Sequence, residues 1–463
     1  MGEDKKTPAN ENVWYLLATA YGGNHKKNQR IWNSWFCRCY SPKEKAILSK
    51  EIDCDIDDFL PWSEEETQHI EAVFNNAIRE GSTIPNADEF IDFRHLVFEG
   101  NVDFSRFIFT SKVLFSEADF KGTARFSHSV FMHNTCFRGT HFAQHVTFEN
   151  TCFDAAVELP NSHPLNSNKL KPLRARGQVN FSNAIFEKMV SFNSTKFKAN
   201  AFFTNVKFIQ DAYFIKTDFW SVGFIEANFS SRAFFDEAVF RDAVVFSRCD
   251  FDHPTRFYQT KFIDGYPQFD STFLHQNTIF SAQNEFWPAK DYLNGKNPSK
   301  DDLVHAKETC AKIRHLLASN GLSSDAHFFF RREMALESQE STCSAKIPLL
   351  LYGTFSDYGY SIRKPSGWLL FIFFFGALVF GFYFLNIHPL TPYKEIIDLI
   401  YAATAMSFTN VFPIFGLREL LVDGDAVGPL PICLKVFSAF QTVVSLPLIF
   451  LFGLGVRNRF RLR

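Results

Sequence analysis

Six polar residues near the C-terminus, Ser407, Thr409, Asn410, Gln441, Thr442 and Ser445, stand out because the sequence around them is largely apolar. Hydroxyl and carboxamide groups in such a setting need either a partner or water. Two chemistries meet that need. The six could line a wet passage, with Ser407, Thr409 and Asn410 as its narrow polar ring and Gln441, Thr442 and Ser445 facing water from a later helix. Alternatively they bond within and between helices and glue a bundle together. The passage is the expectation, and the glue is its competitor. Asp423 and Asp425 lie between the two groups, where they would either gather cations at a mouth or sit in a solvated loop.

Other clusters carry less chemistry. His128, His133, His141 and His145 are spaced four to eight residues apart. No acidic or thiol companion stands in register with them, so surface histidines are expected rather than a metal site. Lys169, Lys171, Arg174 and Arg176 share a stretch with Pro160, Pro164 and Pro172, which reads as an extruded loop. Its charges could hold an anion or a partner, but a solvated loop is the simpler reading. Nine cysteines are scattered, and Cys37 and Cys39 are too close for a zinc knuckle, so a reducing compartment is expected. The chain has no phosphate loop, nucleophile elbow or paired carboxylates on a recognisable scaffold. Neither enzymatic activity nor a cofactor is therefore expected. A formal charge of −2 gives no sign of a polyanion partner, and no nucleic acid is expected.

The elements that must position the six residues are apolar. Trp368 to Leu385 runs without a charge after Arg363 and Lys364, which is long enough for a membrane span. A second run, Val436 to Val456, is followed by Arg457, Arg459, Arg461 and Arg463. Basic residues at both outer ends place those ends in the cytoplasm. The N-terminus lacks an apolar signal run, in keeping with a cytosolic N-terminal region. Pro447 and Gly453 could hinge the second span. Between the spans, Ile396, Ile397, Leu399, Ile400, Ala403 and Met406 form the apolar side of a helix expected over about 395–408, too short to cross.

A short helix between two spans, ending in Ser407-Phe408-Thr409-Asn410, resembles the pore helix and filter entrance of two-transmembrane potassium-channel-like proteins. The resemblance covers about a quarter of the chain. It implies four chains around a pore, hence a homotetramer. The continuation Asn410-Val411-Phe412-Pro413-Ile414 lacks the Gly-Tyr-Gly filter, so the carbonyl ring of those channels is not carried over and selectivity should differ.

Further upstream, phenylalanine recurs at alternating intervals of five and six. One series is Phe98, Phe109, Phe120, Phe131, Phe142 and Phe153, interleaved with Phe104, Phe115, Phe126, Phe137 and Phe148. The pattern resumes from Phe181 to Phe262 with one slip near Phe224 and Phe229. Neither a helix nor a flat strand explains this spacing, but a four-sided solenoid does. Small residues two places before each ring, such as Ala118, Ala124, Ala184 and Ala238, would fill the corners. The pattern resembles the pentapeptide-repeat family in its Phe-centred variant. That resemblance implies a right-handed quadrilateral β-helix of seven or eight coils, on the order of 35 Å tall at the spacing of paired strands.

The open ends of such a solenoid need caps. Trp14, Trp32 and Trp35 lie on two short helices expected between residues 11 and 40, where they should pack a cap. A further helix follows Pro61, with Ser63 and Glu66 as a capping box, Ile70, Val73, Phe74 and Ile78 as its stripe, and Gly81 as its stop. Residues 301–340 read as a helical hairpin broken at Asn320-Gly321, with Leu303, Ala306, Cys310, Ile313 and Leu317 on one face. With Tyr358-Gly359 after it, this hairpin resembles the connector of membrane-attached pentapeptide-repeat proteins.

The expected architecture is mainly β solenoid with α-helical caps and a C-terminal two-helix transmembrane domain holding a re-entrant pore helix. Residues 1–90 form the cap, 91–280 the solenoid with a loop insertion at 154–180, 281–345 the connector and 346–463 the membrane region. The spans fall at about 368–386 and 434–456. The expected function is an ion-conducting, channel-like pore in a bacterial inner membrane, surrounded by lipid and controlled or assembled by a cytosolic solenoid that receives a protein or ligand. The alternative is a membrane-anchored scaffold without conductance. Mimicry of DNA toward a topoisomerase needs an acidic face, yet Phe93 to Phe273 carries nearly balanced charge, so that third reading is set aside.

Overall fold

The computed structural model describes residues 6–77, 83–153, 177–288, 300–341, 343–387, 393–414, 420–421 and 430–460. Lys169, Lys171, Arg174, Arg176, Asp423, Asp425, Ile78, Gly81, Arg461 and Arg463 lie outside these residues, as does the side chain of Ile396. The chain forms two compact units, Met1–Asn320 and Gly321–Arg463.

The first unit is a parallel β-solenoid, consistent with the pentapeptide-repeat resemblance. Each coil bonds to the next through backbone ladders such as Phe104 N to Arg125 O and Phe126 N to Thr147 O, both 2.8 Å. Two faces form separate eight-stranded sheets. The other two merge into one twelve-stranded sheet with side branches. They merge because Lys196–Phe202 and Asp218–Ile225 run unbroken around a corner.

The rings form four inner columns. In one, Phe98, Phe120, Phe142 and Phe186 succeed one another at 4.4, 4.9 and 5.0 Å. In another, Phe137, Phe181 and Phe203 stack at 4.8 and 4.9 Å. This spacing is the strand separation itself, so the ladder imposes face-to-face stacking that free aromatic rings do not favour. Compensation comes sideways. Phe137 meets Phe126 at 84° and Phe148 at 82°, the edge-to-face contact that the ring quadrupole prefers.

Alternate rings begin a tight turn. Ala118 N bonds Phe115 O at 3.0 Å, with Glu117 between them at φ 59°. This is a turn that normally takes glycine at its third position. Here His95, Arg106, Glu117, His128, Asn150, Asn183 and others occupy it, and Gly139 is one glycine that does. The cost of left-handed backbone, about 1–2 kcal/mol per residue, is offset because each such amide bonds the next coil, as Glu117 N does to Arg138 O at 2.8 Å.

The residue closing the turn is the small corner residue. Ala118, Ala184 and Ala238 are fully buried there, as the sequence implied. Threonine does more in the same place. Thr140 Oγ1 donates to Phe115 O at 2.8 Å, Thr217 to Phe192 O at 2.7 Å and Thr260 to Phe235 O at 2.6 Å, each reaching back one coil. Cys249 substitutes for it, its Sγ reaching Phe224 O at 2.8 Å. Replacing Thr217 with Val should cost about 1 kcal/mol, since Phe192 O keeps its bond from Thr195 N. Thr217→Ser should cost less, and urea melts of the three proteins would check the order.

The slip is absorbed locally. The coil from Phe203 to Phe224 is one residue shorter than its neighbours, yet the two rings stack at 4.8 Å. A register shift between Phe197 and Asn200, opposite Phe219 and Ser221, takes up the difference. The ring column is also continuous across a longer interval. Phe153 stacks directly on Phe197 at 5.1 Å, and the ladder resumes at Gln178.

Helices close both ends. At the first, Thr7–Pro8 pairs with Leu96–Val97. Helix α1 (Val13–Ala18) follows, and Tyr15, just inside it, sets its ring edge on Phe98. From α2 (His25–Phe36), Asn33 acts as a missing strand: its Nδ2 donates to Arg106 O and its Oδ1 accepts from Ile108 N, both at 2.9 Å. Trp32 is fully buried and donates to Ile108 O at 2.9 Å. Helix α3 (Pro42–Glu51) was not anticipated, although Ser41 and Glu44 give it a capping box. Helix α4 (Glu64–Asn75) starts with the expected Ser63–Glu66 box and buries Ile70 and Phe74.

At the other end lies α5 (Lys300–Ser319), with Ala306, Cys310, Ile313 and Leu317 buried. Thr309 Oγ1 donates to Pro267 O at 2.5 Å, and Lys312 Nζ donates to Phe269 O at 3.0 Å and also to Thr272 O. These donors satisfy carbonyls that a further coil would otherwise take up.

The second unit contains α6 (Ser323–Glu340), α7 (Cys343–Ser356), α8 (Arg363–Ile387), α9 (Tyr393–Val411) and α10 (Ile432–Phe460). The two helices of the expected connector thus fall in different units. Helices α8 and α10 are long and apolar enough to cross a membrane.

Candidate functional site

Helices α8, α9 and α10 pack as a bundle whose interior has three layers. One apolar layer holds Phe380, Phe384, Ala403, Met406 and Leu434. Another holds Leu369, Val411 and Leu448. Between them sits a polar layer containing most of the residues singled out from the sequence. Ser407 and Ser445 are fully buried, and Gln441, Asn410 and Thr409 are 2%, 4% and 6% exposed.

Gln441 is the hub of this layer. Its Nε2 donates to Ser407 Oγ at 2.7 Å and Ile372 O at 3.2 Å, while its Oε1 accepts from Asn410 Nδ2 at 3.1 Å. Ser407 Oγ donates on to Phe373 O at 2.7 Å. Asn410 Oδ1 accepts from Ser438 Oγ at 2.8 Å, and Asn410 O accepts from Ser445 Oγ at 3.3 Å. Amide and hydroxyl groups of α9 and α10 therefore bond to one another and to backbone carbonyls of α8 within one chain, in surroundings of low polarity that strengthen each bond.

The six residues divide. Ser407, Asn410, Gln441 and Ser445 come together, whereas Thr409 and Thr442 bond only within their own helices, to Met406 O and Ser438 O. Two participants escaped sequence reasoning. Ser438 lies three residues before Gln441 and seven before Ser445, on the same stripe of α10, a spacing readable in advance. Gly376 lies on α8 where a Cβ would run into the Gln441 amide and the Ser407 hydroxyl.

The course of α9 matters for chemistry. Its C-terminal Val411 packs beside Leu369, while near the start of α10 Leu434 lies beside Phe380 and Phe384. Leu369 and Phe380 stand eleven residues apart on α8, roughly 16 Å along its axis. The end of α9 and the start of α10 therefore lie at different depths along α8.

One end of the bundle is held by an irregular turn. Asp357, Tyr358 and Gly359 adopt left-handed backbone in succession, at φ 52°, 55° and 77°. Gly359 is required there, because a Cβ would meet the Tyr352 hydroxyl and Leu454. Arg331 from α6 bonds Asp357 Oδ2 at 2.7 Å and stacks over Tyr360, and Asn458 from α10 donates to Gly359 O at 3.0 Å.

On the solenoid, the four histidines do not gather. His141 nevertheless has acidic companions, contrary to expectation: Nδ1 lies 2.9 Å from Asp119 Oδ1 and Nε2 lies 2.9 Å from Glu187 Oε1. Asp119 is one coil away, 22 residues back, so stacking supplies a neighbour that local spacing hides. Elsewhere Asp270, His305 and Glu308 bring three ligand atoms within 4.8 Å of one another and could hold a divalent cation where α5 meets the last coil. Buried thiols are structural: burial pushes Cys152 up to about 11 and Cys249 up to about 12, so both stay protonated at neutral pH.

No protein-family model, curated protein or solved structure matches this chain.

Proposed function

We propose that the chain is a channel-like membrane protein, assembled as a homo-oligomer, a tetramer by the potassium-channel resemblance, in a bacterial inner membrane. In this reading α8 and α10 span the bilayer, and the solenoid and C-terminus are cytoplasmic. The carrying observation is the course of α9, which ends near Leu369 while α10 starts near Phe380. Residues 412–414 leave the helix at that depth, and non-helical backbone there would put bare peptide groups in hydrocarbon unless protein or water surrounds it. Several chains around a wet axis provide that environment. Ser407, Asn410, Gln441 and Ser445 then anchor the re-entrant helix and set the position of the pore entrance, instead of lining it. The solenoid receives a cytosolic protein or ligand, or assembles the subunits.

Planar-bilayer recording of the full chain tests this, with Asn410→Leu beside wild type. Leucine keeps the branched shape of the side chain and removes the bonds to Gln441 and Ser438. Wild-type currents that are lost or altered in the variant are expected. Silence from a folded, oligomeric wild type would overturn the proposal.

A second reading, a tethered scaffold without conductance, is favoured by the closure of the polar layer inside a single chain. Replacing residues 364–463 with an unrelated anchor separates the two, since a scaffold keeps its activity and a channel loses it.

A further inference from the structure

Helix α7 has its apolar side turned outward. Ile347, Leu350 and Leu351, at positions i, i+3 and i+4, are 59%, 45% and 51% exposed. The inner side is already occupied: Phe355 packs with Leu369, Val411 and Leu448 and meets Trp368 edge-on at 5.2 Å, and Tyr352 meets Tyr358. A helix facing water would place polar residues on its outer stripe. Lys346 is the one charged residue in α7.

Cations surround the same end of the bundle. Asn458 bonds Gly359 O, and Gly455 lies against the Ser361 backbone, so Arg457 and Arg459 emerge beside the turn that joins α7 to α8. Arg363 opens α8, and Lys364 Nζ reaches back to Gly353 O of α7 at 3.1 Å. Arg363, Arg457 and Arg459 are exposed, and none has a carboxylate partner among the described residues. Trp368, 39% exposed, stands at the level where indole rings mark a membrane–water boundary.

We propose that α7 lies in the plane of one membrane face, its outer stripe sunk among acyl chains and the neighbouring arginines holding anionic phospholipid headgroups. This rests on reading α8 and α10 as spans. The apolar stripe continues onto the exposed Leu370, Phe371 and Phe374 of α8, so a single leaflet covers both without a break. An apolar face beside unpaired arginines fits an acidic lipid surface. The lipid would hold α7 against the bundle, at the turn that Arg331 and Asn458 clamp.

The test uses the full chain in phosphatidylcholine vesicles with and without phosphatidylglycerol. A photoreactive benzoylphenylalanine replaces the exposed Leu351, and the vesicles are washed with alkali before irradiation. Lipid adducts enriched in phosphatidylglycerol are expected, with that enrichment lost in Arg457→Gln/Arg459→Gln. Adducts to a second copy or to the solenoid would overturn the inference, as would retention in the vesicles without lipid adducts. Enrichment unchanged in the arginine variant would overturn the headgroup contact. Release by the alkaline wash would remove the spans, and with them this proposal.

Discussion

Replacing Phe192 with Ala is expected to cost the solenoid about 3–5 kcal/mol, the range for emptying a buried aromatic site. Phe192 is fully buried in mid-ladder, stacked on Phe148 at 4.9 Å and Phe214 at 5.1 Å, with its edges against Phe181 and Phe203. Its neighbours are pinned by their own backbone ladders and cannot collapse inward, so most of the cavity remains. Each coil touches only the next, so stability is close to a sum of coil and interface terms, and a break in the middle uncouples the two halves. Hydrogen exchange of the full chain should show opening of the coils around residue 192, with the capped first coil at Phe104 and Phe109 far less affected. Phe192→Leu should cost less than half as much. A loss below about 1 kcal/mol for the alanine variant would mean that the ring columns are not what holds the coils together.

Gly376→Ala is expected to spread the helical bundle, at a cost of about 1–3 kcal/mol for one methylene forced into a filled interior. The new methyl would meet the Gln441 amide and the Ser407 hydroxyl, which are bonded to each other at 2.7 Å. Moving either opens the chain of bonds through Asn410 to Ser438. Gln441→Ala alone should be destabilising too, because it strips Ser407, Asn410 and Ile372 O of a partner, although interhelical bonds in membranes average only about 0.6 kcal/mol. The double variant should be more stable than the sum of the two losses implies, because the shortened side chain makes room for the methyl. Unfolding of the four proteins in mixed micelles would give the coupling. Strict additivity would show that Gly376 and Gln441 do not share this space.

Much of the fold could be read from the sequence, since a residue with a single preferred environment repeated at a fixed interval. Phenylalanine cannot face water every five or six residues, so the columns followed. What stayed hidden depended on neighbours one coil away. The pairing of His141 with Asp119 spans 22 residues, and the bond from Thr217 to the Phe192 carbonyl spans 25. Neither interval signals anything in a linear reading until the coil length is applied to polar positions as well as rings. The cap residue Asn33 was hidden for a related reason, because an amide side chain imitating a strand leaves no periodic trace.

In the helical bundle, residue types pointed to the right layer but left its direction open. Ser407, Asn410, Gln441 and Ser445 were identified as polar groups needing partners, and the partners turned out to be one another. Whether a serine on an apolar helix looks inward or toward an axis depends on which face its neighbours cover. Gly376 decides part of that by letting α8 come close, yet glycine is common in apolar helices and gave no separate signal.

The direct stacking of Phe153 on Phe197 also bears on how this protein can change over generations. Its architecture keeps count by rings rather than by residues, so the whole interval from Phe153 to Phe197 counts as one step. Such a junction separates two kinds of inheritance. The column is conservative, since any drift there is felt by the coils on both sides. Whatever the chain carries between those two points, the rings on either side hold their order.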